Sequence, residues 1–75
     1  MKLADLKVGQ KAKIISMSDV ESLHRKKLLA MGLTPGVDFK LTRIAPLGCP
    51  MQIELRGYSL TVRKNECQAI DIDKI

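Results

Sequence analysis

The side chains best suited to metal or nucleophile chemistry in this sequence are its single histidine, His24, the nearby Glu21, and two cysteines, Cys49 and Cys67. A nucleophile–base–orienter set would need one of the cysteines to meet His24 with an acid behind it. Neither cysteine stands in a nucleophile motif, and no G-x-x-x-x-G-K-[ST] phosphate loop is present. The chain therefore reads as a protein that binds and does not catalyse. The cysteines match no C-x-x-C pattern, so the sequence specifies no metal site. They are expected to be separate, reduced thiols. An adventitious Fe2+ or Zn2+ would have to draw mixed ligands from His24, Glu21, Cys49 and Cys67 or from a second protomer. No cofactor is otherwise expected.

Composition narrows the partners. With 13 basic and 8 acidic side chains in 75 residues, the net charge is +5, which favours an anionic partner. There is one Phe, one Tyr and no Trp, so the aromatic platforms that stack single-stranded nucleic acid are missing. Residues 1–8, MKLADLKV, contain no apolar leader segment. No run approaches the roughly 18 apolar residues of a membrane span. A cytoplasmic protein with no direct membrane insertion is the expectation, either a monomer or a weak homo-oligomer.

Turn signals recur every eight to twelve residues, the rhythm of a small all-β domain. Residues 11–16, KAKIIS, alternate as a half-buried strand, with Leu3, Leu6 and Val8 ahead of them covering one end of the core. Ser18 and Glu21 fit the capping-box pattern S-x-x-E and open a helix. Val20, Leu23, Leu28 and Met31 form its apolar stripe, and Gly32 stops it. Thr34-Pro35-Gly36 is a turn. Residues 37–45 form a second strand whose phase slips, because Ile44 is apolar and Arg43 is not; a bulge near Thr42–Arg43 accounts for this. Met51, Ile53 and Leu55 alternate inward, Arg56-Gly57 turns the chain, and Tyr58, Leu60 and Val62 continue inward. Residues 64–67 form a short helical turn, and Ile70 and Ile72 close the pattern. Each strand has one apolar face, which closure into a barrel would bury while removing the edges. The reading is a single domain over residues 1–75, mainly β, a five-stranded SH3-like barrel with one α-helix inserted after the first strand.

Two surface features remain. Arg25, Lys26 and Lys27 form a basic run on the helix. Leu28, Leu29, Met31, Leu33 and Leu47 are more apolar side chains than so small a core readily holds, which leaves two readings: some of them form an exposed interface patch, or all of them pack under the helix.

The stretches LLAMGLTPG (residues 28–36), RIAPLGCP (residues 43–50) and RGYSLTVRKNECQAIDI (residues 56–72) resemble the ferrous iron transport protein A family, as does the opening ADLKVGQKAKI. The resemblance covers essentially the whole chain. It implies an SH3-like fold and a small cytoplasmic accessory protein of the bacterial and archaeal ferrous iron transporter. It also implies contact with that membrane transporter's cytoplasmic GTPase region, held peripherally at the inner face of the membrane. The docking surface is placed on Leu29, Leu33, Pro35 and Leu47 with Lys26 and Lys27. Many members carry an acidic residue where this chain has Cys49, so no metal role is carried over to that loop. The competing expectations are a metal-sensing domain like the C-terminal domain of iron-dependent repressors and a basic nucleic-acid module.

Overall fold

The computed structural model describes residues 1–48 and 50–75. Its strands are β1 (Lys11–Ser16), β2 (Asp38–Ile44), β3 (Met51–Leu55), β4 (Tyr58–Val62) and β5 (Asp71–Lys74). Helix α1 (Ser22–Ala30) lies between β1 and β2, and a single helical turn, α2 (Lys64–Cys67), lies between β4 and β5. The strands form one antiparallel sheet in the order β4-β3-β2-β1-β5. This is the expected SH3-like barrel, curled around one core.

Alternation places the core. Ala12 and Ile14, Phe39 and Leu41, Met51, Ile53 and Leu55, Leu60 and Val62, and Ile72 are all buried from their strands, with Leu3, Leu6 and Ile70 filling one end. The phase slip in β2 is a bulge: the register with β3 shifts between Leu41 and Arg43. The hydroxyl of Thr42 donates to the Gln52 carbonyl beside it at 3.0 Å. Arg56 and Gly57 both have positive φ, 50° and 85°. That is the type I′ turn that matches the twist of a two-residue hairpin.

Several expectations fail for local reasons. The edges do not vanish, because among the described residues β4 and β5 lie at opposite ends of the sheet order and form no ladder with each other. The chain crosses from one to the other through α2. Val8 is exposed, at the tip of a turn. Ser18 does not cap α1: its hydroxyl accepts from the Ser16 hydroxyl, and the helix starts at Ser22 with Glu21 as its first flanking residue. The chain first turns Val20 into the core, the Val20 N–H donating to the Met17 carbonyl at 3.0 Å. Leu23 is 72% exposed, because at 3.6 residues per turn it lies about 140° round the helix from Leu28. Tyr58 is half-exposed, its hydroxyl donating to the Met31 carbonyl.

Gly32 stops helix α1, as the sequence predicts. The Leu33 N–H donates to the Leu28 carbonyl and the Gly32 N–H to the Leu29 carbonyl, both at 3.0 Å. With Gly32 at φ +93° this is the Schellman arrangement, in which the residue after the glycine packs back on the last helical turn. The Val37 N–H then closes the Thr34–Val37 turn on the Thr34 carbonyl at 3.1 Å.

Lys2 ties the N-terminal segment to the sheet. Its ammonium lies 2.7 Å from Asp71 and 3.2 Å from Asp19. Hydrogen bonds to Asp71 first and Asp19 second hold its pKa above the ordinary lysine value. A raised folded-state pKa stabilises below the unfolded-state value, and that gain is lost as pH climbs through the folded-state value. Lys2→Met is therefore expected to lower the melting temperature slightly at neutral pH. The gap to the parent should close as pH rises beyond the lysine range. A constant gap in thermal melts across that range would refute the ionic account.

Candidate functional site

Helix α1 and the residue that follows it turn one stripe towards β4, His24, Lys27, Leu28 and Met31, at helical spacing. Opposite it stand Leu60 and Thr61 of β4, then Arg63 and Glu66 around α2. Between the two sides lies a cleft of about 390 Å³. It is pinned at both ends. At one end the Tyr58 hydroxyl holds the Met31 carbonyl. At the other, His24 Nδ1 lies 3.4 Å from Asn65 Nδ2 and 3.9 Å from Glu66 Oε2.

Glu66 is the buried charged residue of this cleft, 6% exposed. Its Oε1 accepts the Arg63 N–H at 2.9 Å, capping α2. Its other oxygen faces His24. The imidazole accepts from Asn65 when Nδ1 is bare and donates towards Glu66 when Nδ1 is protonated. Sequence reasoning passed over Glu66, although the spacing of Arg63 and Glu66 is that of a helix start followed by an acid three residues on. Lys27 and Arg63 make the cleft's rim cationic, while Leu28, Leu60 and Met31 make its floor apolar.

The expected metal ligands do not come together. Glu21 is exposed at the start of α1, and Cys67 is buried with Sγ donating to the Val62 carbonyl at 3.5 Å. Cys49 lies outside the described residues. Among the described residues no three His, Cys, Asp or Glu side chains gather as ligands. His24 and Glu66 alone are short of the four ligands that a structural zinc takes.

The expected docking residues divide. Leu33 is wholly buried and cannot touch a partner; the Schellman closure packs it inward. Leu29 is 38% exposed and shares a helix face with exposed Lys26. Pro35 is exposed in the turn after α1, and Leu47 is 97% exposed in the loop between β2 and β3. Lys27 lines the cleft. Among the described residues no helix is long and apolar enough to cross a membrane.

The sequence model of the FeoA domain family matches residues 1–74. The chain belongs to the FeoA domain family. It is 37% identical to the FeoA protein of Chlorobium tepidum, whose solution structure superposes with a TM-score of 0.93 over all of this chain and 70% of that one. A FeoA-like protein from Clostridium acetobutylicum is 33% identical, with a TM-score of 0.86 over all of this chain and 86% of that one. Among curated proteins the chain is similar to the Fe(2+) transport protein A/Fe(2+) transporter FeoB fusion protein of Porphyromonas gingivalis, 27% identical over 75 residues. All of this chain is covered there, but only 9% of the fusion protein, so the chain spans a small fraction of that relative's length. The resemblance read from the motifs and the FeoA family match agree.

Proposed function

We propose that this FeoA domain is a cytoplasmic accessory protein of ferrous iron uptake, which acts by docking on the GTP-binding region of the ferrous iron transporter. The observation that carries the reading is the Porphyromonas gingivalis relative, in which a matching segment is covalently joined to an Fe(2+) transporter. Two functions fused in one chain work at one place, with a high effective concentration of each for the other. Iron is the transporter's cargo in this reading, and the FeoA domain supplies contact and not chemistry. Exposed apolar and cationic side chains are available for such contact: Leu29 shares a face of α1 with Lys26, and Pro35 and Leu47 are exposed in loops. Its aromatic residues offer no stacking platform for nucleic acid, since Phe39 is buried and Tyr58 is held against Met31.

The test is capture of the transporter's isolated cytoplasmic region by the purified protein, with and without guanine nucleotide, followed by association kinetics at low salt. Binding is expected in at least one nucleotide state. The double reversal Lys26→Glu and Lys27→Glu should slow association about tenfold at low salt, with little change at high salt. No capture in either state would overturn the reading.

A further inference from the structure

β4 ends the sheet, and the hairpin's geometry says which atoms its outer edge presents. The two-residue turn makes Leu55 and Tyr58 a hydrogen-bonded pair. Along an antiparallel ladder such pairs alternate with pairs that exchange no bonds. Ile53–Leu60 and Met51–Val62 are therefore bonded pairs, while Ser59 and Thr61 face Glu54 and Gln52 without bonding them. The N–H and C=O groups of Ser59 and Thr61 thus point away from β3. β4 ends the sheet, so no strand stands on that side among the described residues. Both residues are exposed. The edge offers two donors and two acceptors in the order that an added strand requires.

The edge is also grooved and charged. Thr61 lines the 390 Å³ cleft against α1, a groove of about 260 Å³ toward Pro46 and Pro50, and one of about 430 Å³ toward Lys64. Lys27, Arg43, Arg63 and Lys64 stand along these three grooves. The carboxylate among their linings is Glu66, which is buried and caps Arg63. Glu54, the exposed acid across from Ser59, sits one strand further in, toward the turn. Cations thus crowd the Thr61–Lys64 end of the edge.

We infer that β4 accepts an extended, acidic protein segment as a sixth strand, paired to Ser59 and Thr61, with its carboxylates reaching Lys27, Arg63 and Lys64. Strand addition takes its affinity from main-chain hydrogen bonds and its selectivity from the alternate side chains. Here the selecting groups are cations on the rim and the apolar floor of Leu28 and Leu60. The inference rests on the proposed function only in taking the segment to belong to the transporter. Its test does not.

The probe is the blocked hexapeptide Glu-Val-Glu-Ile-Glu-Val, titrated into the isotope-labelled protein and followed by amide shifts and hydrogen exchange. The expected shifts centre on Ser59, Thr61 and Arg63. Exchange at the Ser59 and Thr61 amides, fast in the free protein, should slow at least about tenfold when the probe is bound. Thr61→Pro removes an outward N–H that takes no part in the β3 ladder, a place where an edge strand tolerates proline. This variant should stay folded, with the Leu60 and Val62 amides still protected, and lose the probe. If it unfolds, Lys27→Glu with Arg63→Glu, which leaves the backbone alone, should weaken the probe at least about tenfold at low salt. The strand-addition inference is overturned if a folded Thr61→Pro variant binds the probe as the parent does. It is also overturned if a Lys-Val-Lys-Ile-Lys-Val peptide binds equally, or if a single-stranded oligonucleotide moves the same amides in place of the acidic peptide. Peptide binding without capture of the transporter region would leave the edge assigned and the proposed partner wrong.

Discussion

Replacing Leu33 by alanine is expected to remove about 2–5 kcal/mol of folding stability, the cost of emptying a buried leucine site. Leu33 has no exposed surface, and it follows Gly32 at the point where α1 is closed. Its N–H bonds the Leu28 carbonyl, and its side chain shares the core with Leu28. The substitution therefore opens a cavity and loosens the helix end together. A domain of this length holds only about 4–11 kcal/mol in total. The melting temperature should fall by at least about 10 °C. Leu47→Ala is the control: its side chain is 97% exposed, so the change should stay within about 0.5 kcal/mol. Urea unfolding and thermal melts of both variants decide the matter. If Leu33→Ala melted like the parent yet lost partner binding, Leu33 would be a surface contact after all and its burial would be wrong.

The contrast between Leu33 and Leu47 shows how far the sequence could be read. Strands were legible because a period of two survives wherever one face is buried. Phe39 and Leu41, then Met51, Ile53 and Leu55, then Leu60 and Val62 carry it. Even the β2 bulge left a trace in the broken phase at Arg43–Ile44. The adjacent Ile14 and Ile15 left a similar trace at the second register shift, against β5, where Ile15 is half-exposed. The helix was harder. SLHRKKLLA contributes one buried side chain, Leu28, so no stripe was strong enough to fix its phase. The stripe that faces the cleft mixes His24 and Lys27 with Leu28 and Met31. Such a pattern is amphipathic towards a charged ligand and not towards an oily core. The capping-box expectation failed because burying Val20 used the residues between β1 and α1 as a turn.

The candidate site was less legible than the fold for a topological reason. Its parts come from residues 24–31, from 60 and 61, and from 63–66, brought together only once β4 becomes an edge. Basic residues at 26 and 27 can be read locally. That Arg63 and Lys64 belong to the same surface as Lys27 follows from sheet order. Lys and Arg beside an open edge commonly serve to discourage self-association. Here the same charges flank clefts on an edge that keeps its hydrogen-bonding groups outward, so what repels a second copy of a basic protein attracts an acidic segment. The anchors that hold α1 clear of β4 therefore matter to binding as well as to folding.

One of those anchors can be measured. Gly32→Ala is expected to cost about 2–3 kcal/mol, from two sources. The left-handed backbone there, φ +93°, disfavours any residue with a Cβ by about 1–2 kcal/mol. The added carbon would also stand 2.5 Å from the Tyr58 hydroxyl oxygen. That hydroxyl terminates a half-exposed side chain, so it can swing away, but only by releasing the Met31 carbonyl at the end of α1. The carbonyl belongs to the last turn, where no intrahelical donor remains to satisfy it. Losing such a bond costs about 0.5–1.5 kcal/mol. Tyr58→Phe alone should therefore destabilise by about 1 kcal/mol. The two changes should not add. Alanine at 32 already expels the hydroxyl, so removing it afterwards costs little, and the double variant should be more stable than the sum by about 1 kcal/mol. Denaturant unfolding of the four proteins gives this coupling directly. Additivity within about 0.3 kcal/mol would show that glycine is needed at position 32 for its backbone alone, and that an added Cβ does not displace the Tyr58 hydroxyl from the Met31 carbonyl.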